Sequence, residues 1–247
     1  MEEFYIENDG IRLHAKLDLP ENTDRCPLMI LFHGLSGHME EDHITAAKDT
    51  ALSAGYAVLR VDQYGHGKSE GKFEDHTLFK WITDGMAVID YAKTLDFVSD
   101  IVLCGHSQGG LLTILLAGME ADLIKAVIPM SPALVILDGA RKGGMLGMTF
   151  DPDHIPEVLH YKDLRLKGNY FRTAQLIRED EAIARFTKPV LLVHGTADTA
   201  VPVQYSIDAA AKYKDARLVI IEGGDHCYHS HLDQVMAAVG KFLEEIR

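Results

Sequence analysis

Residues 101–110 read Ile-Val-Leu-Cys-Gly-His-Ser-Gln-Gly-Gly, an apolar run of strand length that meets a Gly-x-Ser-x-Gly motif. Leu111 to Gly118 then continue at once in a helix-like apolar pattern. A chain that passes from strand to helix in so few residues must turn sharply at Ser107, and the missing Cβ atoms of Gly105 and Gly109 permit that turn. The turn leaves the Ser107 hydroxyl unobstructed and points the first N–H groups of the new helix, with its dipole, at the same spot. One short segment thus predicts a nucleophile beside an anion-stabilising site. Read instead as a Gly-rich turn with an idle serine, it would leave the matching pieces elsewhere in the chain unexplained.

The rest of the chain alternates around this unit. Phe4–Glu7 and Ile11–Asp18 alternate in polarity across Asn8-Asp9-Gly10, a tight-turn sequence, and predict an antiparallel edge. Leu28–Phe32 is a continuous apolar run, the pattern of a strand covered on both faces, and it ends in His33-Gly-Leu-Ser-Gly-His38. A helix from about Ile44 to Ser53, a strand at Ala57–Val61 and an amphipathic helix over Leu78–Leu95 follow, and Leu123–Met130 is the strand after the Ser107 unit. The glycine-dense loop Asp62–Gly71 has some look of a phosphate cradle but lacks the Gly-x-x-x-x-Gly-Lys-Ser/Thr spacing. From about Ser131 to Arg185 the alternation breaks, with Gly and Pro scattered through a mixed stretch. We expect an inserted cap over 131–185, with the core made of 1–130 and 186–247. Order resumes with a strand at Pro189–Val193, a helix near Val203–Tyr213, a strand at Arg217–Ile221 and a final helix over Leu232–Ile246. Strands alternating with helices predict an α/β fold with a mostly parallel sheet flanked by helices.

At 247 residues such a chain can form one body with an insertion. No apolar run approaches the ~20 residues that span a bilayer, and the acidic N-terminus lacks a signal core, so a cytoplasmic location is expected. Three cysteines, Cys26, Cys104 and Cys227, with no Cys-x-x-Cys pair, fit a reducing compartment. A formal charge of −13 disfavours nucleic acid or an anionic membrane as partner. The expected partner is a small-molecule ester, with no metal and no cofactor, and the chain is compatible with a homodimer.

A serine hydroxyl is a poor nucleophile at neutral pH and needs an imidazole to take its proton, which in turn needs an acid to fix its tautomer. His226, in Gly223-Gly-Asp-His-Cys, and Asp198, in His194-Gly-Thr-Ala-Asp, both fall just past predicted strands, where loops of an open α/β sheet converge. His106 adjoins the nucleophile, but a strained turn directs neighbouring side chains apart. His194 at a strand end reads as structural. Asp225 competes with Asp198, although the residue directly before the base is poorly placed to reach its far ring nitrogen. His226, His229 and His231 suggest a metal site but lack regular ligand spacing. The oxyanion needs two donors, for which the N–H groups of Gln108 and of Leu35, after the first central strand, are the candidates.

His33-Gly-Leu, Asp62-Gln-Tyr-Gly-His-Gly-Lys-Ser, Gly105-His-Ser-Gln-Gly-Gly, His194-Gly-Thr-Ala-Asp and Gly224-Asp-His-Cys-Tyr resemble the α/β-hydrolase superfamily, which also uses the order serine, acid, histidine. Phe150-Asp-Pro-Asp-His-Ile-Pro156, Leu166–Gln175 and Ser131-Pro-Ala133 resemble the bacterial cinnamoyl and feruloyl esterases. That resemblance implies an α/β-hydrolase fold with an inserted cap (lid), in which an acidic side chain and a tyrosine bind the ring hydroxyls. On this sequence the corresponding substrate-binding positions are Asp138 and Tyr170.

The chemistry suits those two residues. A flat aromatic acyl group wants an apolar slot, and a ring hydroxyl buried there without a partner costs ~1 to 3 kcal/mol. Met145, Leu146 and Met148 could line the slot or pack the cap on the body, Tyr170 could equally be a structural cap residue, and His154 and Gln175 could touch substrate. The expected activity is a serine carboxylesterase acting on hydroxycinnamate esters through an acyl-enzyme on Ser107. Other readings are a short-chain esterase or monoacylglycerol lipase, since caps set specificity, and a non-catalytic hydrolase-fold ligand sensor. Cys227, beside His226, offers a thiol whose reactivity depends on its burial.

Overall fold

A computed structural model of the chain describes residues 1–21, 24–145, 147–161 and 163–247. β1 (Glu2–Asn8) and β2 (Ile11–Asp18) pair antiparallel with Ile6 opposite Leu13, and their turn places Asp9 and Gly10 at φ 50° and 72°. These are the positive angles that an Asp-Gly turn supplies. β3 (Cys26–Phe32), α1 (Asp42–Ser53), β4 (Ala57–Val61), α2 (Leu78–Lys93), β5 (Val98–His106), α3 (Gln108–Met119) and β6 (Ile124–Met130) follow. α4 (Val135–Lys142), the hairpin β7 (Gly144–Met145) and β8 (Met148–Thr149), the hairpin β9 (Val158–Tyr161) and β10 (Leu164–Lys167), α5 (Asn169–Leu176) and α6 (Glu179–Arg185) lie between β6 and β11 (Val190–Gly195). α7 (Gln204–Lys212), β12 (Ala216–Ile221) and α8 (Leu232–Ile246) complete the chain.

Eight strands form one sheet in the order β1-β2-β4-β3-β5-β6-β11-β12, antiparallel at β1-β2 and β2-β4 and parallel elsewhere. Alternate residues of β3 feed two cores. Met29 and Leu31 pack with Ala47 and Ala51 of α1 and Val239 and Phe242 of α8, whereas Leu28, Ile30 and Phe32 join the core containing α2 and α3. Every residue of β3 is therefore buried, which is why its sequence is apolar without alternation. The connection β3-α1-β4 runs one way along the sheet, and β4-α2-β5 returns past β3. The carboxyl ends of β3 and β5 consequently flank a topological switch point, where such sheets leave a crevice.

The stretch read as irregular, from Ser131 to Arg185, holds three helices and two short hairpins among the described residues. None of these elements exceeds eight residues, too short for a periodic pattern to stand out from local composition. The insertion is bonded tightly to the body. A Cβ on Gly118 of α3 would come within 2.4 Å of Ala182 Cα, so α6 lies directly against that helix, which explains why α3 is apolar on all sides. Among the described residues no helix is long and apolar enough to cross a membrane.

Candidate active site

Ser107 sits between β5 and α3 at φ 56°, the left-handed region that costs a non-glycine residue conformational energy. Its neighbours hold it there. The Ser107 N–H donates to Met130 O at 2.9 Å, and its carbonyl accepts from Leu111 N at 3.0 Å and Ala133 N at 2.9 Å. A Cβ on Gly105 would lie 2.3 Å from Gly109 O, and one on Gly109 would lie 2.3 Å from Phe32 O. The two glycines are needed because strand, turn and helix approach at backbone distance.

His226 Nε2 is 2.9 Å from Ser107 Oγ, and His226 Nδ1 is 2.7 Å from Asp198 Oδ2. With a carboxylate at Nδ1, that nitrogen carries the proton and Nε2 is free to accept one from the serine. Asp198 has a fully buried side chain, and burial by itself would raise its carboxyl. Hydrogen bonds from His194 Nε2 at 3.1 Å and from His226, with the Val201 N–H at 2.8 Å, more than offset that and hold it well below the usual carboxylate range. Ala200 N donates as well, at 2.9 Å. His194, which reads as a structural residue at a strand end, is thus a clamp on the acid.

The competing residues are occupied elsewhere. His106 Nε2 donates to the His226 carbonyl at 2.7 Å, and burial, followed by the nearby rings of His43 and His226, holds it well below its ordinary value. It steadies the His226 loop from beneath. Asp225 accepts from the His229 N–H at 3.0 Å and lies 2.8 Å from His229 Nδ1, away from the His226 ring nitrogens. Among the described residues no group of three or more His, Cys, Asp or Glu is arranged to hold a metal ion.

The loop after β3 is set by its hydrogen bonds. His33 Nδ1 donates to Gly34 O at 2.7 Å, Gly37 N donates to the same oxygen at 3.1 Å, and Ser36 N donates to His66 Nε2 at 3.1 Å. Fixing Gly34 O fixes the peptide plane it shares with the Leu35 N–H, which a trans peptide directs the opposite way. His33 is neutral in this role. Burial, then the neighbouring His66, pushes it down to about 3, while its Nε2 accepts the Gln63 N–H at 3.0 Å. Gln108 is the first residue of α3, so its N–H has no acceptor within the helix. Leu35 and Ser107 line one cavity of about 190 Å³.

The sequence profile of the alpha/beta hydrolase family matches residues 29–239. The chain belongs to this family. Among solved structures, Est1E from Butyrivibrio proteoclasticus with ferulic acid bound is 54% identical, covers 98% of this chain and 98% of its own, and superimposes with a TM-score of 0.97. Among curated proteins, the mitochondrial palmitoyl-protein thioesterase ABHD10 of Mus musculus is 26% identical over 222 residues, 82% of this chain and 69% of that protein. The monoacylglycerol lipase of Mycolicibacterium smegmatis is 26% identical over 246 residues, 88% of this chain and 86% of that one.

In this hydrolase the far wall of the Ser107 cavity is apolar, formed by Ala133, Val135, Ile136 and Met145 of the insertion with Val201. Two residues expected to bind substrate stand away from that cavity. Tyr170 is fully buried in α5 and donates its hydroxyl to Gln108 Oε1 at 2.6 Å, so it grips the turn behind Ser107. Asp138 lies one helical turn past Val135, and its carboxylate accepts from Tyr205 OH and Lys142 Nζ, each at 2.8 Å, in a neighbouring cavity of about 430 Å³. Leu134, Asp138 and Arg141, spaced four and three apart, share the side of α4 that borders the second cavity, whereas Val135 and Ile136 border the first, and that division is not legible in an eight-residue segment.

Other expectations are also placed. Gln175 Nε2 donates to Ala140 O and Pro152 O inside the insertion, and His154 is exposed beside Asp151. Met148 is buried without lining the Ser107 cavity, and Leu146 lies outside the described residues. The glycine loop 62–71 wraps the Asp62 carboxylate, which accepts from Met39 N and Lys68 N; a Cβ on Gly67 would lie 2.1 Å from it. That loop encloses an anion of its own chain, contrary to the phosphate-cradle look of its glycines.

Proposed function

We propose that this hydrolase is a serine carboxylesterase for hydroxycinnamate esters, acting through an acyl-enzyme on Ser107, with the insertion serving as its cap. The observation that carries this reading is the line Ser107–His226–Asp198 facing an apolar slot in a chain 54% identical to a protein that binds ferulic acid. His226 Nε2 takes the Ser107 proton as Oγ bonds to the ester carbon, and the Leu35 and Gln108 N–H groups receive the oxyanion. As the tetrahedral adduct collapses, the C–O bond breaks and His226 returns the proton to the alcohol oxygen. Water, deprotonated by His226, then attacks the acyl carbon; the bond from that carbon to Ser107 Oγ breaks, His226 returns the proton to Oγ, and the acid is released. Asp198 stays ionised throughout and stabilises the imidazolium.

The test is kcat/KM for methyl ferulate and methyl sinapate against p-nitrophenyl butyrate in wild type and Ser107→Ala. Higher values for the phenolic esters, lost in the variant, are expected. A preference for butyrate would replace this reading with a short-chain esterase, and turnover by pure Ser107→Ala protein would overturn the mechanism.

A further inference from the structure

Glu41 lines the Ser107 cavity together with His226 and Cys227. It also lines the adjoining surface cleft of about 370 Å³, with Glu40, Asp42 and His229. Glu41 and Cys227 border both, which places them where the catalytic cavity meets the cleft. The direction of the chemistry says which half of the ester lies there. The alcohol oxygen must receive its proton from His226 Nε2, so the alcohol leaves on the His226 side, toward Cys227 and Glu41. The apolar wall of Val135, Ile136 and Met145 remains for the acyl half.

The Glu41 side chain is held in place and is not neutralised by a fixed cation. Its carboxylate accepts the His38 N–H at 3.2 Å and packs so closely on Gly37 that a Cβ there would lie 2.2 Å from Oε2. His43 Nε2 is 3.8 Å away, but burial pushes that ring down to about 4, which leaves it uncharged at neutral pH. Burial also raises the Glu41 carboxyl, with the His38 N–H opposing it. Glu40, its neighbour, is tied to Lys16 and Arg60. Among the described residues, neither cavity is lined by lysine or arginine.

We propose that Glu41 selects the alcohol half of the ester by charge, favouring cationic alcohols such as quaternary ammonium alcohols and disfavouring alcohols that carry a carboxylate. This rests on the esterase reading above. One unit charge about 7 Å from another in a partly solvated cleft changes an equilibrium by about tenfold. The experiment compares kcat/KM at pH 8 and low salt for the ferulate esters of choline, of its neutral isostere 3,3-dimethylbutanol and of glycolate. Wild type and Glu41→Gln are compared.

The choline-to-dimethylbutyl ratio is expected to fall about tenfold in Glu41→Gln and the glycolate-to-dimethylbutyl ratio to rise by a similar factor. Both changes should shrink in 0.5 M salt. Because ratios within one enzyme are read, a general loss of activity in the variant does not affect them. Ratios equal in wild type and variant would overturn the proposal. If no ferulate ester reacts while p-nitrophenyl butyrate does, the acyl assignment fails, and the same ratios measured with the butyrate esters of the three alcohols decide charge selection on their own.

Discussion

The sheet side and the insertion side of the molecule around Ser107 hold their polar side chains by different means. On the sheet side each group stands at a strand end and is fixed by several partners: Asp198 alone receives His194, His226 and the N–H groups of Ala200 and Val201. On the insertion side, helices α4 and α5 place theirs by packing, and each polar group is spent on the protein. Tyr170 holds Gln108, and Asp138 is shared between Tyr205 and Lys142. The sheet side is therefore built to do chemistry in one geometry, and the insertion to shape and brace the cavity.

If that contrast is right, changes on the sheet side should cost the most. Ser107→Ala is expected to lower kcat for any ester by about 10⁴-fold or more with little change in thermal stability. Asp198→Asn should cost on the order of 10³ to 10⁴-fold, because the amide would fix the wrong imidazole tautomer. Steady-state rates on methyl ferulate measure both, and a loss under tenfold for either would dissolve the distinction between the two sides.

The loop after β3, proposed to hold the oxyanion, sharpens it further, since there the backbone and not the side chain is in question. Leu35→Pro removes the N–H and should cost roughly 10² to 10³-fold in kcat, whereas Leu35→Ala should stay within a few-fold. Equal losses would mean that the leucine side chain, or the loop fold, matters instead.

On the insertion side, Tyr170→Phe leaves the buried Gln108 oxygen without its donor and should destabilise the protein by about 1 to 3 kcal/mol. Activity should fall equally on methyl ferulate and on methyl cinnamate, which lacks ring hydroxyls. A loss confined to the hydroxylated ester would restore Tyr170 as a substrate-binding residue. The smallest effect is expected at Asp138, whose carboxyl is lowered by the Lys142 hydrogen bond, with Tyr205 adding to it. A lowered carboxyl in the folded state contributes stability above its unfolded value near 4 and loses it as the pH falls through the folded value. Asp138→Asn should therefore lower the melting temperature slightly at pH 7, with the gap closing below about pH 4 and in high salt, since the pair is partly solvent-exposed.

Much of the sheet was readable because its signals are local. Leu28–Phe32 and Ala57–Val61 are apolar runs of strand length ended by turn residues, and Gly105, Ser107 and Gly109 specify a strand-to-helix turn within five residues. Ser107, Asp198 and His226 could be nominated because each follows such a strand. The insertion was harder to read because its elements are short and their roles depend on what they face. The histidines tell the same story: nothing adjacent to His33, His66, His106 or His194 in the chain says which carbonyl, amide or carboxylate each one meets.

The amino-acid sequence by itself determined the alternation of strands and helices, the strained turn at Ser107 and the set of groups able to do acyl chemistry. All of these follow from backbone preference and side-chain periodicity over a few residues. Only the tertiary structure brought Asp198 to His226 Nδ1 and turned Tyr170 and Asp138 toward Gln108 and Tyr205. Those choices are hydrogen bonds between residues far apart in the chain, 62 positions for Tyr170 and Gln108 and 67 for Asp138 and Tyr205. A buried polar group takes whichever partner the packing brings within about 3 Å, and packing is a property of the whole fold.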